Sequence, residues 1–291
     1  MQSNEQYYVP SGSYWPMVGS VGMAALLGGF ASSLHDNHLG TGIMVLGLGI
    51  ILFMVFGWMG QVVQESEAGH YNLQVDKSFR IGMGWFIFSE VMFFAAFFGA
   101  LFYAREFSVP WLNGEGNNFW TGELLWPEFK AAWPLVEMPD PQLYPSPDGL
   151  IHAWGIPAIN TMLLLASGAT LTWAHWALLN NKRDQLIYGM IATIVLGVIF
   201  IGFQVAEYGE AYGHLNLKMT SGVYGSTFFM LTGFHGFHVV LGTIMLVVIL
   251  MRVIRGHFDA DNHFGFEAVA WYWHFVDVVW LGLFIYVYWL V

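Results

Sequence analysis

Between Arg80 and Arg105 the chain runs through 24 residues that carry a single charged side chain, Glu90, in an otherwise apolar and aromatic stretch, RIGMGWFIFSEVMFFAAFFGALFYAR. At about 1.5 Å per residue such a run spans the ~30 Å hydrocarbon core of a bilayer. It therefore reads as a transmembrane helix, with the two arginines snorkelling to opposite interfaces. Glu90 falls near its middle, where a carboxylate costs at least ~2.5 kcal/mol. That cost predicts a protein interior or wet cavity around Glu90, an acid that is protonated or hydrogen-bonded, and a polar partner on another span.

Similar runs recur. Apolar spans are predicted at about 14–34, 40–63, 80–105, 156–179, 186–208, 224–251 and 267–290, each long enough to cross a bilayer. The whole chain is 56% hydrophobic and 10% charged, too apolar for 291 residues to hide in one soluble core. The fold class expected is all-α, a polytopic membrane protein with seven transmembrane helices packed as a bundle. His35, Asp36, Asn37 and His38 form a short polar turn that makes the first two spans a tight hairpin. The first residues, MQSNEQYYVPSGSYWP, have neither a basic n-region nor a small-residue cleavage site, so insertion through the first apolar helix is expected. There is no cysteine, which removes disulfides, thiolate metal sites and a cysteine nucleophile.

The net charge of −11 is concentrated in the longest polar segment, roughly 107–150 with Glu106 at its edge, which carries Glu115, Glu123, Glu128, Glu137, Asp140 and Asp148 against Lys130. Its apolar piece LLWPEFKAAWPL is expected on the membrane surface. With the N-terminus inside, the inner loops hold Lys77, Arg80, Lys182, Arg183, Arg252 and Arg255, and the outer ones Arg105, Lys130 and Lys218. The excess of basic residues inside sets N-terminus in, C-terminus out, and places the acidic segment outside. There it serves as a solvated loop, a surface against a partner subunit, or an attractor of a basic soluble protein.

The other intramembrane polar groups recur at helical spacing. His235 and His238 stand at i, i+3 in the sixth span, and His274 and Asp277 repeat the spacing in the seventh. Glu90 lies ten residues from Arg80 and His238 fourteen from Arg252. The resulting depth offset of ~6 Å is within side-chain reach given tilt, so a Glu90–His238 hydrogen bond is expected, with His274 and Asp277 as a second layer. Three readings of this cluster stand open: buried polar groups that fix helix register, a proton-linked site, or a metal or haem site. Two histidines at i, i+3 are a weak metal signal, and neither a metal site nor a catalytic residue is assigned. A retinal protein needs a lysine in the last span, and none follows Glu267. A seven-helix receptor would place its N-terminus outside, against the charge count. A stand-alone proton-coupled transporter built around Glu90 and Asp277 remains the alternative, although no inverted repeat of broken helices is evident.

FSEVMFF at 88–94, NTMLLLASGATLTWAH at 160–175, GVYGSTFFMLTGFHGFHVVLGT at 222–243 and HFGFEAVAWYWHFVDVVWL at 263–281 resemble subunit III of the haem-copper oxidases, in its seven-span cytochrome c oxidase branch. The likeness covers most of Arg80 to Leu290 outside the acidic loop and is weaker in the first hairpin. It implies an accessory subunit of a proton-pumping oxidase that passes electrons from cytochrome c to oxygen. Such a subunit binds neither haem nor copper; haem a and copper reside in partner subunits. It supports proton uptake and protects the core from inactivation during turnover. The resemblance also implies an N-terminal hairpin (1–79) splayed from a five-helix bundle (80–291) to hold phospholipids, with contacts at Trp58, His70, Arg252 and His257 and Glu65 nearby. Glu90 matches the family's buried glutamate and His238 the histidine facing it. Val63 stands where the family often carries a basic residue, and the acidic loop is longer than in shorter relatives. Expected partners are subunit I, subunit II, phospholipids and, at the acidic loop, cytochrome c; no nucleic-acid partner is expected. The location expected is a bacterial inner membrane, N-terminus cytoplasmic and C-terminus periplasmic, with a mitochondrial membrane as the second choice.

Overall fold

A computed structural model of the chain describes residues 8–9, 12–35, 38–140, 142–143 and 146–291. Among these there are eight α-helices and no strand: α1 (Trp15–Ser33), α2 (His38–Glu67), α3 (Leu73–Tyr103), the short α4 (Val109–Leu112), α5 (Ile156–Leu179), α6 (Arg183–Gly213), α7 (Gly222–Arg255) and α8 (Phe264–Leu283). Seven helical stretches are long and apolar enough to cross a membrane. Asp36 and Asn37 of the predicted turn, and residues 1–7 of the polar arm, lie outside the described residues.

Several helices outrun their apolar runs, because a membrane helix continues into the interface wherever charge pairs can support it. α3 begins at Leu73, where the Asn72 side chain caps the Val75 N–H and Arg80 pairs with Asp76 one turn earlier at 2.7 Å. Its C-terminal end passes through a π-helical turn, Ala104–Ser108, into α4. Pro16 and Pro157 sit at the first turns of α1 and α5, where a missing N–H costs nothing. α7 stops at Gly256, whose φ of +79° lets its N–H and that of His257 close on the carbonyls of Val253 and Arg252.

The chain divides into two compact units, Met1–Ile81 and Gly82–Val291. In the first, α1 and α2 pack through glycine. A Cβ on Gly29 would strike the Met44 backbone, one on Gly40 the Ser33 backbone and one on Gly47 the Leu26 backbone, so the two helices touch main chain to main chain.

In the second unit the core is aromatic. Trp273 on α8 is fully buried, fits against Gly197 of α6 and Gly242 of α7, and donates its indole N–H to Ser167 of α5 at 2.9 Å. Trp280 donates to Thr161 in the same manner, and Thr170 and Thr193 join α5 to α6 at 2.8 Å. Phe94 on α3 packs on Phe275 of α8. The acidic segment is not a free loop. Val109, Leu135 and Met138 form a small core of its own, Met138 presses on Gly222, and the Asp148 N–H donates to the Leu215 carbonyl at 2.8 Å. The piece expected on the membrane surface is split by this core: Leu124 and Leu125 are exposed, but Leu135 is turned inward.

Candidate functional site

His238 Nε2 lies 3.0 Å from Glu90 Oε2, joining α3 to α7. His238 Nδ1 lies 2.6 Å from the Phe234 carbonyl oxygen. A carbonyl only accepts, so Nδ1 carries a proton. The contact between Nε2 and the carboxyl then needs one further proton, held either by Glu90 or by the imidazole. In both cases the pair as a whole is neutral, which is how an acid and a base can sit at membrane depth. The rings of Phe93, Phe94, Phe237 and Tyr272 surround the imidazole at 5.1–6.3 Å. The carboxyl itself keeps 21% of its side-chain surface open, so the pair sits at the flank of the unit.

Removing the imidazole leaves a half-buried carboxyl without its partner. His238→Ala is expected to cost about 1–2 kcal/mol and to lower the unfolding temperature of the assembled complex, with His238→Gln recovering part of the loss. An unchanged melting curve for His238→Ala would show that the bond carries no stability.

The other intramembrane polar residues do not form a second layer around this pair. His235 is buried between the rings of Phe200 and Trp280, and its Nε2 lies 3.2 Å from the Val276 carbonyl. His274 Nδ1 and Asp277 Oδ2 are 3.7 Å apart, and His274 Nε2 reaches Thr172 on α5 at 3.4 Å. The i, i+3 spacing makes each pair a neighbour pair, but the rotation of α8 aims Asp277 at Gly168 of α5 and not at α3.

Two polar clusters escaped the sequence reading. Glu207 on α6 is fully buried; its Oε1 accepts from Tyr288 O–H at 2.6 Å and from Gln204 Nε2 at 3.1 Å. A carboxylate at the end of an apolar span was its only signal. The second cluster is His175, His263 and Glu267, whose ligand atoms all lie within 4.8 Å of one another. The i, i+4 pair within HFGFE was visible; the third member, on α5, could not be placed from spacing.

The residues implied to hold lipid fall in both units. In the first, Trp58 is 37% exposed on α2 and His70 lies ring to ring with Tyr8 at 5.3 Å. Glu65 is engaged internally: it accepts from Tyr71 O–H at 2.9 Å and Gln61 Nε2 at 2.8 Å, while Gln61 accepts the Trp15 indole N–H. Burial, with Glu65 beside it, pushes the Tyr71 hydroxyl above its ordinary range. In the second unit the Arg252 guanidinium lies 4.4 Å over the Phe258 ring, and the N–H of His257 donates to the Arg252 carbonyl.

The family model described as cytochrome c oxidase subunit III matches residues 5–113 and 123–291. Proteins named cytochrome c oxidase subunit 3 from Marchantia polymorpha, Arabidopsis thaliana and Cyprinus carpio are 42%, 40% and 38% identical to the chain. Each alignment covers 97% of this chain and 96% of the relative. The alternative of a stand-alone transporter is overturned by this full-length match, and Glu90 and Asp277, its two supposed centres, are engaged by different partners.

Proposed function

The chain belongs to the cytochrome c oxidase subunit III family and is an accessory subunit of that oxidase; from this premise we propose that it performs no electron transfer itself and sustains the proton supply and lifetime of the catalytic subunits. The observation that carries the reading is the full-length match combined with a neutral Glu90–His238 pair on the flank of the second unit. Haem a and copper belong, on this reading, to partner subunits I and II, with subunit I the main contact. His235, His274 and Asp277 fix helix register. Phospholipid headgroups are held at the ends of the spans, by Trp58 and His70 in the first unit and by Arg252 and His257 in the second, where an interfacial aromatic and basic groups favour phosphate. Glu65 acts there through Tyr71 and Gln61.

The orientation, N-terminus cytoplasmic and C-terminus periplasmic, rests on the excess of basic residues in the inner loops. A bacterial inner membrane completes the proposal, although the relatives named above come from plants and a fish. The docked acidic segment presents Glu115, Glu123 and Glu128 outward, a surface for a basic partner such as cytochrome c, or for subunit II.

The oxidase purified without this chain should keep its haem a and copper and its initial rate of oxygen reduction, but lose activity after fewer turnovers. Loss of haem with the chain would overturn the reading. In the complete complex, Glu90→Ala is expected to shorten turnover lifetime and lower proton pumping per electron, and Glu90→Gln to preserve lifetime better. Unchanged values for Glu90→Ala would reduce the pair to packing.

A further inference from the structure

The cluster of His175, His263 and Glu267 has no part in that function and is built from three places in the chain. His175 lies in the last turn and a half of α5, His263 is the residue before α8, and Glu267 is in the first turn of α8. All three sit at the end of the bundle where α5 and α7 finish and α6 and α8 begin, the end where Arg183 donates to the carbonyls of Val253 and Ile254.

The Nε2 atoms of His175 and His263 are each 4.0 Å from Glu267 Oε1. That is beyond hydrogen-bond reach. A tetrahedral zinc ion with ligands at about 2.0–2.2 Å needs them about 3.3–3.6 Å apart, so the two His–Glu distances must close by about 0.4–0.7 Å and the two imidazole nitrogens, within 4.8 Å of each other, by at most about 1.5 Å. The outer shell is already in place. His263 Nδ1 lies 3.1 Å from the Asp259 carbonyl, so that nitrogen holds the proton and the Nε2 lone pair is left facing Glu267. The Asp259 carbonyl belongs to a closed turn: its carboxylate accepts the N–H groups of Asn262 at 2.7 Å and Asp261 at 2.9 Å, which hold the acid below its ordinary range. On the other side the Phe266 ring lies 5.5 Å from His175, tilted by 30° to it. The three side chains keep 26%, 9% and 15% of their surface, sheltered but open to an ion from the interface.

Two imidazoles, one carboxylate and an outer hydrogen bond that sets the tautomer form a ligand set suited to a borderline divalent ion. We propose that His175, His263 and Glu267 bind a zinc ion, with water in the fourth position, and that the ion clamps α5 to the start of α8. Glu267 supplies the negative charge and is also well placed at a helix N-terminus, so the site persists without metal.

The test uses the assembled oxidase, dialysed against chelator, re-exposed to limiting zinc chloride and desalted. Zinc per haem iron is read by elemental mass spectrometry in wild type, His263→Ala and Glu267→Gln. Wild type is expected to retain one zinc more per complex than either variant, and the zinc-edge absorption of that extra ion to show two imidazole ligands. Zinc should raise the unfolding temperature of wild type alone. Equal zinc in wild type and Glu267→Gln, a substitution that keeps side-chain size, would overturn the proposal, and should His263→Ala fail to assemble, Glu267→Gln decides it. Oxidase activity is not the readout, so failure here leaves the accessory role untouched.

Discussion

Trp273→Ala is expected to cost this subunit about 3–5 kcal/mol, the largest loss of any single substitution in the second unit. The indole is fully buried on α8 and fills a slot formed where two other helices present glycine. A Cβ at Gly197 of α6 would lie 2.8 Å from the ring and one at Gly242 of α7 2.9 Å from it. The slot therefore has rigid backbone on two sides and cannot collapse when the ring is removed, which is the condition under which a cavity keeps its full cost. The indole N–H also reaches Ser167 Oγ at 2.9 Å, so the same change breaks the α5–α8 link. Trp273→Phe should recover most of the loss, since it restores ring area and forfeits one hydrogen bond of about 1 kcal/mol. Thermal scans of the assembled oxidase at one fixed rate, followed by the temperature at which this subunit is released, would rank the three proteins. Equal release temperatures for wild type and Trp273→Ala would mean that the bundle is held by its partners and not by its own core.

How much of this was legible in the sequence depends on whether a feature is local. Glu90 announces itself because one carboxylate in a 24-residue apolar run demands a polar partner, and His238 follows because the inner ends of the two spans are marked by Arg80 and Arg252, so depth can be counted. The i, i+3 spacing does set His274 beside Asp277, at 3.7 Å, but spacing along a helix says nothing of its rotation about its own axis. Asp277 consequently belongs with Gly168 of α5, away from the Glu90 pair. Glu207 was hidden because it sits among Glu210, Tyr208 and Tyr212 near a span end, where acidic residues are cheap; its burial depends on Tyr288 arriving from 81 residues away. The zinc-type cluster has the same difficulty, two ligands being local and the third on another helix. The acidic segment reads as solvated on charge alone, yet Leu135, Met138 and the Asp148 N–H tie it down. The span ends differ from the apolar runs by a few residues wherever a polar pair such as Arg80–Asp76 lengthens a helix beyond the hydrocarbon.

The second large effect is expected at Gly47, where Gly47→Leu should separate α1 from α2. Lipid chains are as apolar as leucine, so two membrane helices gain little from hiding apolar side chains against each other and must gain from close backbone contact. Gly22, Gly29, Gly40 and Gly47 provide that contact. A Cβ at Gly47 would overlap the Leu26 backbone nitrogen and lie 2.8 Å from both the Ala25 carbonyl carbon and the Gly22 oxygen, so even alanine is too large and leucine forces the axes apart. Overpacking of this kind costs ~1–3 kcal/mol where the surroundings can yield, and here the obstacle is main chain. Gly49 is the control: it faces open space, so Gly49→Leu adds the same side chain without a clash. The chain has no cysteine of its own, so a cysteine pair introduced across α1 and α2 reports their contact without background. Disulfide yield should fall sharply in Gly47→Leu and stay at the wild-type level in Gly49→Leu. If both leucines leave the yield unchanged, the hairpin is held by its turn and not by its glycines, and the Trp15–Gln61–Glu65–Tyr71 chain at its open end becomes the next element to test.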